Sequence, residues 1–139
     1  MGNRAVITTE AGFENNGIGV YLHWNGGRDS VQAFLKYCKL KNYRDPDADN
    51  YGWARLCQVI GNFLGGTTSI GIDKVTNLDC DNWDNGVYII KGWEIVGRKY
   101  FSGREQNEYD LEEMLIAIDE LQPIRIGAAT IREMLEGGK

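Results

Sequence analysis

Two rhythms of apolar residues run along this chain, one of period two and one near period four. Arg4 to Thr8 reads as a short β-strand. Ile18 to Trp24 reads as a second, with Val20, Leu22 and Trp24 alternating with Tyr21 and His23 as in a half-buried ribbon. Between them Glu10 to Gly17, with Gly12, Asn15, Asn16 and Gly17, reads as a turn, so the pair is predicted to be a β-hairpin. From Ser30 to Lys41 the rhythm lengthens: Val31, Phe34, Leu35 and Cys38 form one helical stripe. Tyr51 to Leu64 is a second predicted helix, with Trp53, Leu56, Cys57, Ile60, Phe63 and Leu64 on a face broad enough to make it the most buried. Thr68 to Asp73 is a third strand, and Val87–Ile90 and Trp93–Phe101 form a hairpin closed at Lys91-Gly92. A helix with the stripe Leu111, Met114, Leu115, Ile118 and Leu121 follows, capped by Asn107 and stopped by Pro123. Ile126 to Leu135 forms a last short helix.

This order predicts an α+β fold: an antiparallel sheet of about five strands with helices packed on one face. Residues 1–122 are predicted to form a single α+β domain, the candidate for ligand binding, and 123–139 a tail helix that docks back or joins an assembly. The chain has 139 residues, enough for one domain with its own core. Met-Gly-Asn-Arg leads into a short strand, which predicts no secretory leader, and no apolar run reaches the length of a membrane span. Three cysteines without a Cys-x-x-Cys predict a reduced, intracellular protein.

A net charge of −5 opposes steering onto a nucleic acid polymer or an anionic membrane. It leaves room for a small anion held by local arginines. The stretch Ile18 to Ser30 offers the setting: a strand, then Asn25-Gly26-Gly27-Arg28, then Asp29 or Ser30 as helix N-cap. That geometry aims backbone N–H groups at an anion, and it also serves as a plain strand-to-helix connection. Arg28, Arg55, Arg98 and Arg104 stand at loop or helix-edge positions. Trp83, Tyr100 and Phe101 lie in or beside loops rich in glycine or asparagine. Rings that stack on a base and arginine forks that hold phosphates together describe a nucleotide pocket.

Catalytic readings are thinner. His23 is the one histidine, and no nucleophile motif surrounds Cys38, Cys57 or any serine. The Asp45-Pro46-Asp47-Ala48-Asp49 run lacks the glycine and glutamate of a calcium loop, with Asn50 and Leu56 at those offsets. Asp79, Asp81 and Asp84 suit magnesium or plain solvation. No metal and no cofactor is predicted.

Three stretches carry a resemblance: Gly19-Val20-Tyr21-Leu22-His23-Trp24-Asn25-Gly26-Gly27-Arg28-Asp29-Ser30-Val31, Tyr51-Gly52-Trp53-Ala54-Arg55-Leu56-Cys57 and Asp84-Asn85-Gly86-Val87-Tyr88-Ile89-Ile90. Through them the chain, from about Arg4 to Gln122, resembles the phage anti-Thoeris sponges. Those proteins sequester a cyclic ADP-ribose signal made by a bacterial TIR-domain protein, and some also hold cyclic oligonucleotides. The resemblance implies a non-catalytic homohexamer in the host bacterial cytoplasm. Arg28, Arg55 and Arg104 would hold phosphates, and Arg98 would be a further ligand-binding residue. Trp83 or Phe101 would stack on adenine, and Asn85 would bond base or ribose. Two other classes remain open: a direct inhibitor of a defence nuclease, and an enzyme that degrades the signal.

Overall fold

The computed structural model describes residues 2–47, 50–65, 69–123 and 129–137. The elements, in order, are β1 (Ala5–Thr9), α1 (Glu10–Glu14), β2 (Ile18–Leu22), α2 (Arg28–Leu40), α3 (Asn50–Phe63), β3 (Ile70–Lys74), β4 (Val87–Lys91), β5 (Glu94–Lys99), α4 (Leu111–Glu120) and α5 (Ile131–Gly137). The fold is α+β. Its five strands lie in the order β3-β2-β1-β4-β5.

The sheet is mostly antiparallel, and β1 with β4 is its parallel pair, Val6 facing Val87 and Thr9 facing Ile90. The five-stranded antiparallel sheet expected from sequence thus holds except at its centre, where this one pair is parallel. The reason lies in burial: β1 and β4 are covered on both faces, so Ala5–Ile7 and Val87–Ile90 are apolar without alternation. Ala5, Ile7, Val20, Leu22, Tyr88 and Ile90 meet α2, α3 and α4 on one face. Val6, Val87 and Ile89 meet Phe13, Tyr21, Leu78 and Cys80 on the other.

The stripe Val31, Phe34, Leu35 and Cys38 is buried as its spacing predicts. Yet α2, not α3, is the most enclosed helix, because α2 packs against α3, α4 and β5, whereas α3 meets α4 only lightly. On α3, Trp53, Leu56, Val59 and Ile60 are buried, whereas Cys57 and Phe63 lie at the margin. The predicted turn at Glu10–Gly17 contains the short α1, whose start is capped by Thr9 Oγ1 accepting from Gly12 N. Asp110, rather than Asn107, caps α4 by accepting from Glu113 N at 3.1 Å. The starts of the predicted third strand and tail helix, Thr68 and Ile126, lie outside the described residues. No helix among the described residues is long and apolar enough to cross a membrane.

α5 docks onto the main core through Ile131, which is fully buried, with Met134 and Leu135 beside it. Asp119 fastens it. This carboxylate accepts from Tyr37 Oη at 2.7 Å and from Ile131 N at 2.8 Å, with Lys41 Nζ at 3.5 Å. Burial, then the bond to Asp119, holds the Tyr37 hydroxyl far above its ordinary titration range. Asp119→Ala strands two donors, each costing about 1–3 kcal/mol when buried. The expected fall in melting temperature is roughly 8–15 °C, read by thermal unfolding. An unchanged temperature would mean that water reaches both donors.

Candidate functional site

The loop after β2 turns at Asn25, whose φ of +56° suits asparagine, and runs through Gly26 and Gly27 into α2. Tyr88 Oη anchors it by donating to Gly26 O at 2.6 Å. Gly27, not Asp29 or Ser30, is the N-cap, and it contributes no side-chain bond. Asp29 turns elsewhere. Its Oδ1 accepts from Ser30 N at 2.7 Å, and its Oδ2 accepts from the amides of Glu108 and Tyr109 at 2.7 and 3.0 Å. The helix start therefore faces the segment between β5 and α4.

From that segment Glu105 reaches two arginines. Its carboxylate accepts from Arg28 Nη1 at 3.0 Å and also from Arg98 Nη1. Partial burial pushes the Glu105 carboxyl up, but the bonds and charges of Arg98 and Arg28 outweigh it and hold the group below its usual range. Arg98 lies between two rings, its guanidinium 3.9 Å from the centroid of Tyr88 and 3.9 Å from that of Phe101. Its Nη2 donates to Asn85 O, and its Nε is buried with no hydrogen-bond partner among the described residues.

Beyond Phe101 opens a cleft of about 440 Å³ lined by Asp81, Trp83, Asp84, Tyr100, Phe101 and Ser102. Trp83 is 91% exposed. Trp83 and Tyr100 hold φ of +63° and +54°. Bulky residues rarely adopt such angles, which cost on the order of 1–3 kcal/mol and gather where a fold serves a ligand. Asp84 is paired with Arg4, whose Nε donates to it at 2.8 Å; Arg4 also has Asp79 within 3.5 Å. The walls of the cleft thus offer aromatic faces and hydrogen-bond acceptors, while the positive charge lies on the Arg98 side of Phe101.

Of the residues that the sequence singles out, Arg28, Arg98, Asn85 and Phe101 are brought together, and Trp83 adjoins them through the cleft. Asn85 does not present its amide to a ligand. Nδ2 donates to Asn3 Oδ1 at 2.7 Å and Arg4 O at 3.0 Å, so its donors hold the N-terminal strand instead. Arg104 lies on the same segment as Glu105, exposed and without an ion pair among the described residues. Arg55 is not part of this group. It bonds Gln58 Oε1 at 2.8 Å and lines a different cleft of about 530 Å³, with Lys41, Tyr43, Asn62 and Gln122. Sequence reasoning missed Tyr88 and Glu105. Tyr88 is hidden in an apolar run, and Glu105 finds Arg28 across 77 positions.

Nucleophilic chemistry has little to work with here. Burial raises the thiols of Cys38, Cys57 and Cys80, which disfavours thiolate. No group of three or more metal-ligating side chains gathers among the described residues. His23, just past the end of β2, has its Nδ1 2.9 Å from Tyr21 Oη and its N donating to Ser69 O. If Arg28 and Arg98 hold an anion, His23→Gln is expected to change its affinity by less than about threefold, under roughly 1 kcal/mol. Total loss with the fold retained would bring His23 into the site and revive the enzyme reading. Comparison with family models, curated proteins and solved structures finds no match, so the geometry of the site carries its reading.

Proposed function

We propose that this chain is a non-catalytic sponge that captures a cyclic nucleotide immune signal of the cyclic ADP-ribose type and so withholds it from a bacterial anti-phage defence. One observation carries the reading. Arg28 and Arg98, from a helix start and a strand, converge on a single carboxylate beside a cleft walled by Trp83, Tyr100 and Phe101. Guanidinium forks match phosphate oxygens in pairs, and exposed rings give adenine a surface to stack on.

In this reading Arg28 and Arg98 hold phosphates, Trp83 or Phe101 stacks on the base, and Arg104 adds charge from the rim. Capture needs no discrimination between ground state and transition state, so tight ground-state binding suffices. The net charge of −5 then keeps polymeric nucleic acid away while two local arginines accept the small anion. By the resemblance, the working form is a homohexamer in the host cytoplasm, and some ligands are cyclic oligonucleotides.

The test is mass spectrometry of small molecules released by heating protein that has been incubated with cyclic ADP-ribose and washed. Intact ligand, in proportion to protein, is the expected result. A hydrolysed product would point to an enzyme that degrades the signal. Absence of any released nucleotide would sink the capture of this ligand and favour a direct inhibitor of a defence nuclease.

A further inference from the structure

The stretch 100–110 joins β5 to α4 without helix or strand. It crosses the start of α2, and the fastenings there are polar. The Glu108 and Tyr109 amides donate to Asp29, Asn3 Nδ2 donates to Gln106 Oε1 at 3.0 Å, and Glu105 binds Arg28 and Arg98. No residue from 102 to 110 is buried. A segment held by exposed polar links without apolar burial belongs to the easily opened part of a fold.

Gly27 shows how closely this segment lies. Its φ of −68° and ψ of 158° suit any residue. Yet a Cβ at that position would stand 1.8 Å from Gln106 Oε1 and 2.9 Å from Gln106 Cβ. All three nearest atoms belong to the Gln106 side chain, so a Cβ there would push that side chain aside and press on its Cβ, whereas the turn itself makes no demand for glycine. Beneath that segment two guanidiniums share one carboxylate, and one Arg98 donor has no acceptor among the described residues. The pyrophosphate of a cyclic ADP-ribose ligand brings twice the free oxygens and twice the charge of one carboxylate, enough for both guanidiniums at once.

We propose that residues 102–110 form a strap whose Glu105 carboxylate sits in the seat of the ligand's phosphate, so that capture proceeds by displacing it. The proposal rests on the reading that Arg28 and Arg98 hold phosphates. The strap makes the binding-competent form a fraction of the population, and apparent affinity falls by that fraction. Loosening the strap therefore tightens binding.

Two variants test this. Glu105→Gln removes the internal anion, and Gly27→Ala crowds Gln106 and its link to Asn3 without altering any charge. The first measurement is hydrogen exchange without ligand. Both variants are expected to speed exchange of the Glu108 and Tyr109 amides by about tenfold or more. Unchanged exchange in both variants overturns the strap, whatever binds. The second is calorimetry with cyclic ADP-ribose. Both variants are expected to bind about threefold to tenfold more tightly than wild type, and ligand should speed the same amides in wild type. If wild type binds and both variants bind more weakly, Glu105 supports the arginines rather than competing for them, and the proposal falls while the capture reading stands. If the amides quicken but no form of the protein binds, the strap is real and the phosphate seat is not, which overturns both the seat and the capture reading.

Discussion

Replacing Arg98 by alanine should weaken capture of cyclic ADP-ribose about a hundredfold and also weaken the fold. The two effects share one cause. Arg98 is stacked between Tyr88 and Phe101, donates to Asn85 O and meets Glu105, with its side chain 14% exposed. Each charge-assisted bond is worth about 1.5–3 kcal/mol, and each stacked contact about 0.5–2. These contributions overlap, so a stability loss of about 2–4 kcal/mol is expected. For the ligand, a lost phosphate fork corresponds to roughly a hundredfold in affinity. Phe101 would also lose the surface that holds it at the cleft. Arg98→Lys keeps the charge but not the planar fork, and should recover part of the stability and little of the binding. Thermal unfolding and calorimetry together decide. Wild-type affinity in a destabilised Arg98→Ala protein would make Arg98 a structural prop and remove it from the site.

A larger loss of stability is expected at Gly86, where β4 begins. Its φ is +65°, and a Cβ there would lie 2.2 Å from Lys99 O and 2.5 Å from Tyr100 O. Both obstacles are backbone, so no rotamer change relieves them. The left-handed conformation alone costs a residue with a Cβ about 1–2 kcal/mol. Moving the end of β5 aside adds about 1–3 kcal/mol, as overpacking does elsewhere. Gly86→Ala should therefore lose roughly 2–5 kcal/mol in urea unfolding. It should also disturb Arg98, which stands on β5 opposite Tyr88. Stability equal to wild type would show that β5 yields without cost and that the closeness here is not structural.

Local patterns were legible in the sequence, and distant pairings were not. The stripe on α2 depends only on residues within two turns, so its spacing located both the helix and its buried face. The parallel β1–β4 pair depends on residues more than 80 positions apart. Its trace in the sequence was the unbroken apolar run Val87-Tyr88-Ile89-Ile90, which marks a strand covered on both faces rather than half of a surface hairpin. The capping errors have the same origin. Asp29 has the right chemistry for an N-cap, but the amides of Glu108 and Tyr109 compete for its carboxylate from 79 and 80 positions away. Among the arginines, composition identified the donors, but only the fold sorts Arg28 and Arg98 together and sets Arg55 in another cleft.

The exposure of Trp83 gives this protein an optical gauge of its own. Of the four tryptophans, Trp53 and Trp93 are buried, Trp24 is 43% exposed, and Trp83 is 91% exposed at the mouth of the cleft. An indole standing in water emits at long wavelength and is readily reached by a collisional quencher such as iodide. A purine laid on its face would darken that emission and shelter it from the quencher. The difference between wild-type and Trp83→Phe fluorescence isolates this signal from Trp24, so the arrival of a stacked base can be followed in real time without labelling either partner.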